Sequence, residues 1–299
     1  MLTPSRLTLA RCRRGLTAAE LARKAGVQAR AIGEYERGVR RPKAVTVEAL
    51  AGALGFPEAF LAAPEPPRPQ NAPPDAQATA AAQLAIEFNG WLERLFVLPQ
   101  PDLPPPRTSP DGTRLSWRLD HSPAPNMVQL LESHGVRVFS LPVDCVAQEA
   151  FSCWHNGTPY VFLTPTATPE QARFDAAVQL AVLLGHAEPH EFAAEFLMPR
   201  QELRGTDHRH WHVARERFVL RANVLSLAHG GMTRREPSKL LTKVFRVLRE
   251  NGTTPLHVAK ELNLGLEELN GLVFGLVLTA LPGGGERGPK GRARLTLVH

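Results

Sequence analysis

Two short segments of the chain place histidines and carboxylates close together, and these are residue types that bind a catalytic zinc ion. The first segment holds His186, Glu188 and His190, and the second holds His208, His210 and His212. Pro189 disfavours a continuous helix between His186 and His190, so their side chains need not share a helical face. Two interpretations stay open, a metal site and polar surface histidines near a helix end. The sequence favours surface histidines, because metal binding needs side chains that converge.

Cysteine content and hydropathy indicate the compartment. The three cysteines, Cys12, Cys145 and Cys153, are too few and too scattered for a disulfide framework or a thiolate zinc site. No stretch approaches the roughly 20 apolar residues that a membrane helix needs, and the N-terminus lacks a signal-peptide pattern. At 43% hydrophobic residues, the chain has enough apolar material for a sizeable core. We therefore expect a globular, cytoplasmic protein that does not bind a membrane.

Positive charge is concentrated at the N-terminus. The chain carries 35 Lys and Arg residues and 29 Asp and Glu residues, a formal net charge of +6. Residues 1–60 contain 11 of the basic and 5 of the acidic residues, so the remaining 239 residues hold 24 of each and are neutral. This asymmetry predicts a small polyanion-binding module attached to a neutral body. Charge alone does not distinguish nucleic acid from an acidic protein.

Capping signals predict three short helices in this basic module. Thr3-Pro4 begins a helix that runs through Arg14, and Thr17-Ala-Ala-Glu20 has the pattern of a capping box. The second helix ends at Gly26, and a third spans Ala29 to Glu36. Two short helices joined by a glycine-containing turn form a helix-turn-helix, whose second helix can enter the major groove of DNA.

This module resembles the XRE family, the phage-repressor type of five-helix DNA-binding domain. The resemblance covers residues 5–60 and rests on Leu16-Thr-Ala-Ala-Glu-Leu-Ala-Arg-Lys-Ala-Gly-Val27, Ile32-Gly-Glu-Tyr-Glu-Arg-Gly38, Arg41-Pro42 and Leu50-Ala-Gly-Ala-Leu-Gly55. It implies a recognition helix that begins near Gln28. The residues predicted to bind DNA are Thr17, Gln28, Ala29, Arg30, Gly33 and Glu34, together with Arg37, Arg40, Arg41 and Lys43, whose charges suit phosphates. The glutamine that usually follows the second-helix cap is Ala18 here, which removes one backbone-positioning contact.

Residues 126–199 resemble the ImmA/IrrE family of zinc metallopeptidases. The resemblance rests on Ala150-Phe-Ser-Cys-Trp-His-Asn-Gly-Thr-Pro-Tyr-Val-Phe-Leu163, Ala172-Arg-Phe-Asp-Ala-Ala177 and Glu191-Phe-Ala-Ala-Glu-Phe-Leu-Met-Pro199, and continues weakly through 211–214 and Arg235-Glu-Pro237. In that family a His-Glu-x-x-His motif places two zinc-binding histidines on one helical face. The glutamate between them acts as general base.

The motif positions have lost these residue types. The aligned run is Val178-Gln179-Leu180-Ala181-Val182, with valine at both histidine positions and glutamine at the glutamate position. Valine has no lone pair for a metal, and an amide cannot act as a base. The resemblance therefore implies a pseudo-peptidase without a cofactor. The alternative is a divergent zinc peptidase that recruits His186 and His190 together with Glu188, which falls near the family's third-ligand position.

Composition divides the chain into five segments. We expect a helix-turn-helix domain over 1–61, a proline-rich linker over 62–125 with one amphipathic helix at about 77–97, a degenerate ImmA/IrrE-like domain over 126–205, a helical, helix-turn-helix-like region over 206–282, and a disordered basic tail over 283–299. Asn156-Gly157 between β-rich runs predicts a hairpin, and Thr168-Pro169 begins a long helix. The expected fold class is α+β, mainly helical, with a small antiparallel sheet in a zincin-like domain.

The region after residue 234 has two interpretations. A helix from Arg235 to Leu248 precedes two short helices in 253–272, the arrangement of a second helix-turn-helix. Glu261, Glu267 and Glu268 would make its second helix acidic, and DNA phosphates would repel such a helix. The sequence therefore favours packing or dimerisation for this region over DNA contact.

The two resemblances together imply a homodimeric, nucleoid-associated regulator of transcription that binds double-stranded DNA. Its pseudo-peptidase groove would bind a protein or peptide partner or sense a signal, as in a stress or DNA-damage response. Two alternatives stay open. One is an active, divergent zinc peptidase that cleaves a partner repressor, and the other is a stress or repair accessory protein that binds DNA without promoter-specific control.

Overall fold

The computed structural model describes residues 1–119, 124–145, 148–197 and 235–277. Thirteen helices and three strands lie within these ranges. The helices are α1 (Pro4–Arg13), α2 (Ala18–Ala25), α3 (Ala29–Glu36), α4 (Ala44–Leu54), α5 (Glu58–Leu61), α6 (Ala76–Leu95), α7 (Pro110–Ser116), α8 (Met127–Ser133), α9 (Pro169–Leu183), α10 (Pro189–Leu197), α11 (Lys239–Glu250), α12 (Pro255–Glu261) and α13 (Leu266–Val273). The strands are β1 (Arg137–Ser140), β2 (Phe151–His155) and β3 (Thr158–Leu163).

The N-terminal domain has the five helices that the XRE resemblance implies, α1 to α5. Its core is apolar and fully buried, with Leu7, Leu21, Ile32, Leu50 and Phe60 contributed by one helix each. The capping box at α2 forms as expected between Thr17 and Glu20. Thr3 precedes α1 but does not cap it, because its hydroxyl donates instead to the carbonyl oxygen of Ala63 at 2.7 Å.

The sheet has the order β1-β3-β2. The predicted hairpin forms: β2 and β3 are antiparallel, and the turn places Asn156 and Gly157 at positive φ, the backbone that tight hairpin turns require. β1 pairs with β3 in parallel, so the complete sheet is mixed. On the side away from β3, β2 forms a backbone bridge to Gln70 of the proline-rich segment. β1 adds to the free edge of β3, a long-range pairing that the Asn-Gly signal does not encode.

Helix α9 packs against this sheet and against α8 and α10. It begins as the sequence predicts, with Pro169 in its first turn and the hydroxyl of Thr168 accepting from the Gln171 N–H at 3.2 Å. Small side chains on its buried side, Ala176, Ala177 and Ala181, allow the helix to lie close to its neighbours. This packing fixes the helix that carries the degenerate motif.

Helix α6 is the helix expected at about 77–97, and it connects all parts of the described chain. The Asp75 side chain caps it by accepting from the Ala78 N–H at 2.6 Å. The ring of Phe88 lies 6.0 Å from that of Phe139 in the sheet and 6.3 Å from that of Phe245 in α11. A second helix, α7, forms in the proline-rich segment 62–125, for which the sequence predicts only one helix.

The C-terminal helices begin later than predicted. Helix α11 starts at Lys239 rather than at Arg235, because the Ser238 side chain caps it by accepting from the Leu241 N–H at 2.8 Å. Helices α12 and α13 follow as the expected short pair. Within the part of the chain that the structure describes, no helix is long and apolar enough to span a bilayer.

Candidate nucleic-acid interface and degenerate peptidase site

Helix α3 is attached to the N-terminal domain by one side only. Ala31, Ile32 and Tyr35 point into the core and are at most 7% exposed. Gln28, Ala29 and Arg30 are exposed, and the Arg30 side chain is 87% exposed. The outer side of the helix predicted to enter the major groove is thus free to meet another surface.

Glu34 organises the arginines around α3. Its carboxylate accepts from Arg30 Nε at 2.8 Å, one helical turn away, and lies 3.8 Å from Arg40 Nη1. The guanidinium of Arg40 also lies 6.0 Å from the centre of the Tyr35 ring. Glu34 is half-buried, so its chemical role in the free protein is to orient two cations.

Gly33 provides space for the side chain of Arg37. A β-carbon at position 33 would lie 3.2 Å from Arg37 Nη1, so the guanidinium crosses the helix where the glycine leaves room. Arg37 is exposed, and so are Arg41 and Lys43 in the loop before α4. Exposed guanidinium and ammonium groups at the end of a recognition helix suit the phosphates that flank a groove.

Four of the eleven basic residues in this domain are buried or partly buried and form ion pairs, in addition to the exposed Arg30 and Arg40 that pair with Glu34. Arg6 pairs with Glu87, Arg11 pairs with Glu36, and Arg13 and Arg14 both pair with Glu268. The seven exposed ones are Arg23, Lys24, Arg30, Arg37, Arg40, Arg41 and Lys43. All seven belong to the stretch from α2 to the start of α4, so the exposed positive charge lies in and around the helix-turn-helix.

Thr17 lies at the exposed start of α2. Its N–H and its hydroxyl both donate to Glu20 Oε2, each at 2.7 Å. These hydrogen bonds hold the pKa of the Glu20 carboxyl below its usual value. The predicted DNA-binding residue Thr17 is therefore fixed in position by its capping box.

The degenerate motif occupies the middle of α9. Val178 and Val182 lie one turn apart, with Val178 buried and Val182 44% exposed. Gln179 is buried, and its Nε2 donates to the carbonyl oxygen of Ala150, just before β2, at 3.0 Å. A zinc ion does not fit here, because the two ligand positions present only carbon atoms and the base position holds an amide engaged with the backbone.

The alternative ligands do not converge. His186 lies between α9 and α10, with Nε2 at 2.9 Å from the Thr108 carbonyl oxygen and its ring 4.5 Å from that of Phe192. His190 is in α10, with its ring 6.0 Å from that of Phe174. Nowhere in the described ranges do three His, Cys, Asp or Glu side chains, Glu188 included, form a group suited to a metal ion. His208, His210 and His212, like the predicted tail over 283–299, lie outside the described residues.

Glu236, which no sequence motif marks as a site residue, connects the start of α8 with α9. One carboxylate oxygen forms an ion pair with Arg173, and the other accepts from the N–H of Met127 at 2.7 Å, at the start of α8. The sequence contains a signal for this contact, because Arg173 and Glu236 belong to two of the segments that carry the ImmA/IrrE resemblance. The structure brings these segments together as one buried contact.

Asp175 lies one turn before Val178 in α9. It accepts a hydrogen bond from Gln171 Nε2 at 2.6 Å, and burial raises the pKa of its carboxyl. Opposite it, Arg235 donates to the carbonyl oxygens of Thr164 and Ala167. Asp175 thus bonds within α9, while Arg235 connects the segment before α11 to the loop that leads into α9.

Comparison with known protein families finds two matches. Residues 7–61 match the helix-turn-helix family, and residues 131–228 match the IrrE N-terminal-like domain. No curated protein and no solved structure matches the chain significantly. The two family matches cover the five-helix domain and the domain that contains the sheet and α9. The chain thus joins an N-terminal helix-turn-helix domain of the XRE type to a central domain of the IrrE N-terminal-like family.

Proposed function

We propose that this protein is a transcriptional regulator that binds specific DNA through α3, while its IrrE-like domain recognises a partner or signal without cutting peptides. One observation carries the proposal. The exposed cations of the N-terminal domain surround α2 and α3, whereas its four other cations form ion pairs, three of them with residues outside the domain. A net charge gathered around a recognition helix is what binding to a phosphate backbone requires.

The proposed roles divide the interface into two parts. Gln28, Ala29 and Arg30, with Gly33 and Glu34 behind them, form the surface that reads base edges. Arg37, Arg40, Arg41 and Lys43 hold the phosphates on either side. Base contacts give sequence preference, and phosphate contacts give affinity that depends on salt. Arg30 would exchange its internal partner Glu34 for an acceptor on a base.

We infer that the IrrE-like domain does not cut peptides from the residues of α9. Gln179 contributes a hydrogen bond to the backbone at the position of the general base, and valines replace both metal ligands. A domain that keeps its framework and loses its ligands can still recognise a peptide or protein segment. By the family resemblance, we propose that the recognised signal belongs to a stress or DNA-damage response and that the protein acts on the nucleoid.

We also propose that the protein acts as a homodimer through the N-terminal domain. A pocket of about 420 Å³ lies between the N-terminus, the start of α4 and α5, and apolar residues such as Leu2, Ala44 and Val47 line it. Arg41 and Glu58 also line it. A two-fold interface brings the same patch together twice, so the apolar lining of one copy would pack on that of the other. Paired half-sites would add both affinity and specificity.

Selection of bound DNA from a random pool tests the proposed function directly. We expect the purified full chain to enrich a palindromic sequence, whose two halves would give the symmetry and half-site spacing together. Genome-wide footprinting should then give sharp occupancy upstream of genes. Diffuse occupancy without an enriched sequence would instead favour an accessory protein that binds DNA non-specifically.

A further inference from the structure

One carboxylate near the C-terminal end of the described chain holds the helix-turn-helix domain. Glu268 in α13 accepts from Arg13 Nε at 2.7 Å, and its other oxygen accepts from Arg14. Arg13 Nη1 also donates to both carboxylate oxygens of Asp144, at 3.0 and 2.8 Å. The side chains of Arg13 and Glu268 are only 4% and 5% exposed. The buried pair of Arg13 and Glu268, with Arg14 and the half-exposed Asp144 at its edge, therefore joins residues more than 250 positions apart in sequence.

Arg14 extends this contact to a second helix of the N-terminal domain. Its Nε donates at 2.6 Å to the carbonyl oxygen of Leu54, the last residue of α4. Its guanidinium lies 4.5 Å from the centre of the Phe56 ring. Glu268 is thus connected, through two neighbouring arginines, to the C-terminal ends of both α1 and α4. A carboxylate that holds two helices of one domain fixes the domain's orientation as well as its distance.

The second attachment of the N-terminal domain lies along α6. Arg6 pairs with Glu87 at 2.6 Å, and Gln77 Nε2 donates to the carbonyl oxygen of Arg13 at 3.2 Å. If the N-terminal domain contacted α6 alone, it could rotate most easily about the axis of α6. The Glu268 cluster lies at the end of α1 and blocks this rotation. The α3 residues Ala29 and Arg30 stay exposed in this docked arrangement.

The energetics favour a role in orientation over a role in stability. Burying a charged cluster costs desolvation free energy, and apolar residues of the same volume often stabilise a fold equally well or better. Hydrogen bonds between guanidinium and carboxylate groups, however, are short and directional. The cluster therefore fixes the orientation of the N-terminal domain more closely than an apolar contact would.

We propose that Glu268 is a positioning residue for DNA binding. It fixes the angle of the helix-turn-helix domain on the rest of the chain, and so holds α3 in the exposed position from which it meets DNA. This inference rests on the proposed function as a dimeric DNA-binding regulator. Its structural part, the fixed angle, is measurable without DNA.

The structural part is tested by the distance between two spin labels. The labels are attached at Arg23→Cys in α2 and Glu250→Cys in α11, both exposed sites, in full-length protein with Cys12→Ser. Cys145 and Cys153 stay unlabelled because they are buried, which raises the pKa of each thiol to about 12. We expect one narrow distance distribution without further change, and a broadened or displaced one with Glu268→Gln.

Glu267→Gln is the matched control, since Glu267 is the exposed neighbour in the same turn and loses the same charge. Its distance distribution should remain narrow. If Glu268→Gln gave the same narrow distribution as Glu267→Gln, the proposal would be overturned. If Glu268→Gln does not fold, the pair Arg13→Met with Glu268→Leu replaces the charges by apolar side chains of similar volume and tests the same point.

The functional part uses the operator selected by the unaltered protein. We expect Glu268→Gln to weaken binding to a duplex with a single half-site about threefold, since α3 loses its fixed exposure. The loss should reach about tenfold on the full operator, where two copies bind together. Unchanged affinity for both duplexes would overturn the proposed role in DNA binding. If the unaltered protein binds no DNA, the proposed function fails, and the spin-label distances still decide whether Glu268 fixes the angle.

Discussion

Gln179 donates a hydrogen bond from its Nε2 to the carbonyl oxygen of Ala150, and this contact occupies the position of the general base in the family motif. A carboxylate has no proton to donate at neutral pH, so the side-chain amide is the group that suits this buried site. The Gln179 amide thus fixes α9 against the start of β2.

The first prediction concerns this contact. Gln179→Glu should lower the free energy of unfolding by about 1–3 kcal/mol at pH 8, because a buried carboxylate would face a carbonyl oxygen. The loss should shrink at pH 5, where a protonated carboxyl can donate the missing hydrogen bond. Urea denaturation at both pH values measures this effect. Gln100→Glu, at an exposed position, is the control, and an equal effect at both sites would contradict the prediction.

The second prediction concerns zinc. Full-length protein purified without chelator should hold much less than one zinc ion per chain, because valines occupy the ligand positions and His186 and His190 contact different aromatic rings. Elemental analysis after dialysis against zinc measures the stoichiometry. One zinc ion per chain that disappears in the double variant His186→Ala and His190→Ala would establish a metal site and contradict the pseudo-peptidase proposal.

The third prediction concerns Glu132 in α8, which caps α11. Its carboxylate accepts from the N–H groups of Lys239 and Leu240, each at 3.0 Å, and from the hydroxyl of Ser238. Burial nevertheless raises the pKa of Glu132 from 4.5 to about 7. The folded protein therefore binds this proton more tightly than the unfolded chain does. Its stabilising effect is complete below pH 4.5 and is lost as the pH rises to about 7.

This difference in pKa corresponds to about 3 kcal/mol of stability between those two pH values. Glu132→Gln should remove that part of the pH dependence, since the amide does not titrate. Denaturant unfolding between pH 4.5 and 8 gives the slope. Glu250→Gln, an exposed glutamate in α11, should leave the slope unchanged. A Glu132→Gln protein with the original slope would show that Glu132 titrates normally.

The fourth prediction separates the roles of the cations around α3. Arg30→Ala should reduce discrimination between the selected operator and random DNA, because it removes a base contact. Arg41→Ala and Lys43→Ala should weaken binding to all sequences and lower the salt slope by about one each. Titrations at several salt concentrations measure both quantities. Arg249→Ala, which removes an exposed charge from α11, is the control. Equal effects of the three variants on both kinds of DNA would contradict the division.

The fifth prediction concerns the dimer. Ala59→Arg places a long charged side chain in the pocket beside α5 without disturbing the core, because Ala59 is exposed. Sedimentation velocity should show dimers of the unaltered protein and monomers of this variant. Ala187→Arg, at another exposed alanine, should remain dimeric. Dimers that survive Ala59→Arg would place the interface elsewhere.

The sequence by itself determined the features that depend on neighbouring residues. The capping box of Thr17 and Glu20, the turn at Asn156-Gly157 and the start of α9 after Thr168 form within a few positions, so local patterns predict them. The residue types at positions 178–182 are also known directly from the sequence. Amino-acid identities alone indicate that Val178 and Val182 cannot bind a metal.

Only the tertiary structure decided which charged side chains form ion pairs with each other. From the sequence, Glu268 counted as part of an acidic helix surface, and Arg13 and Arg14 counted toward the DNA-binding charge. In the fold, all three side chains form one contact between distant segments. The parallel pairing of β1 with β3 likewise depends on where α6 and α9 place the strands. Pairings between segments that are not neighbours in sequence depend on packing of the whole chain, and a local pattern carries no information about them.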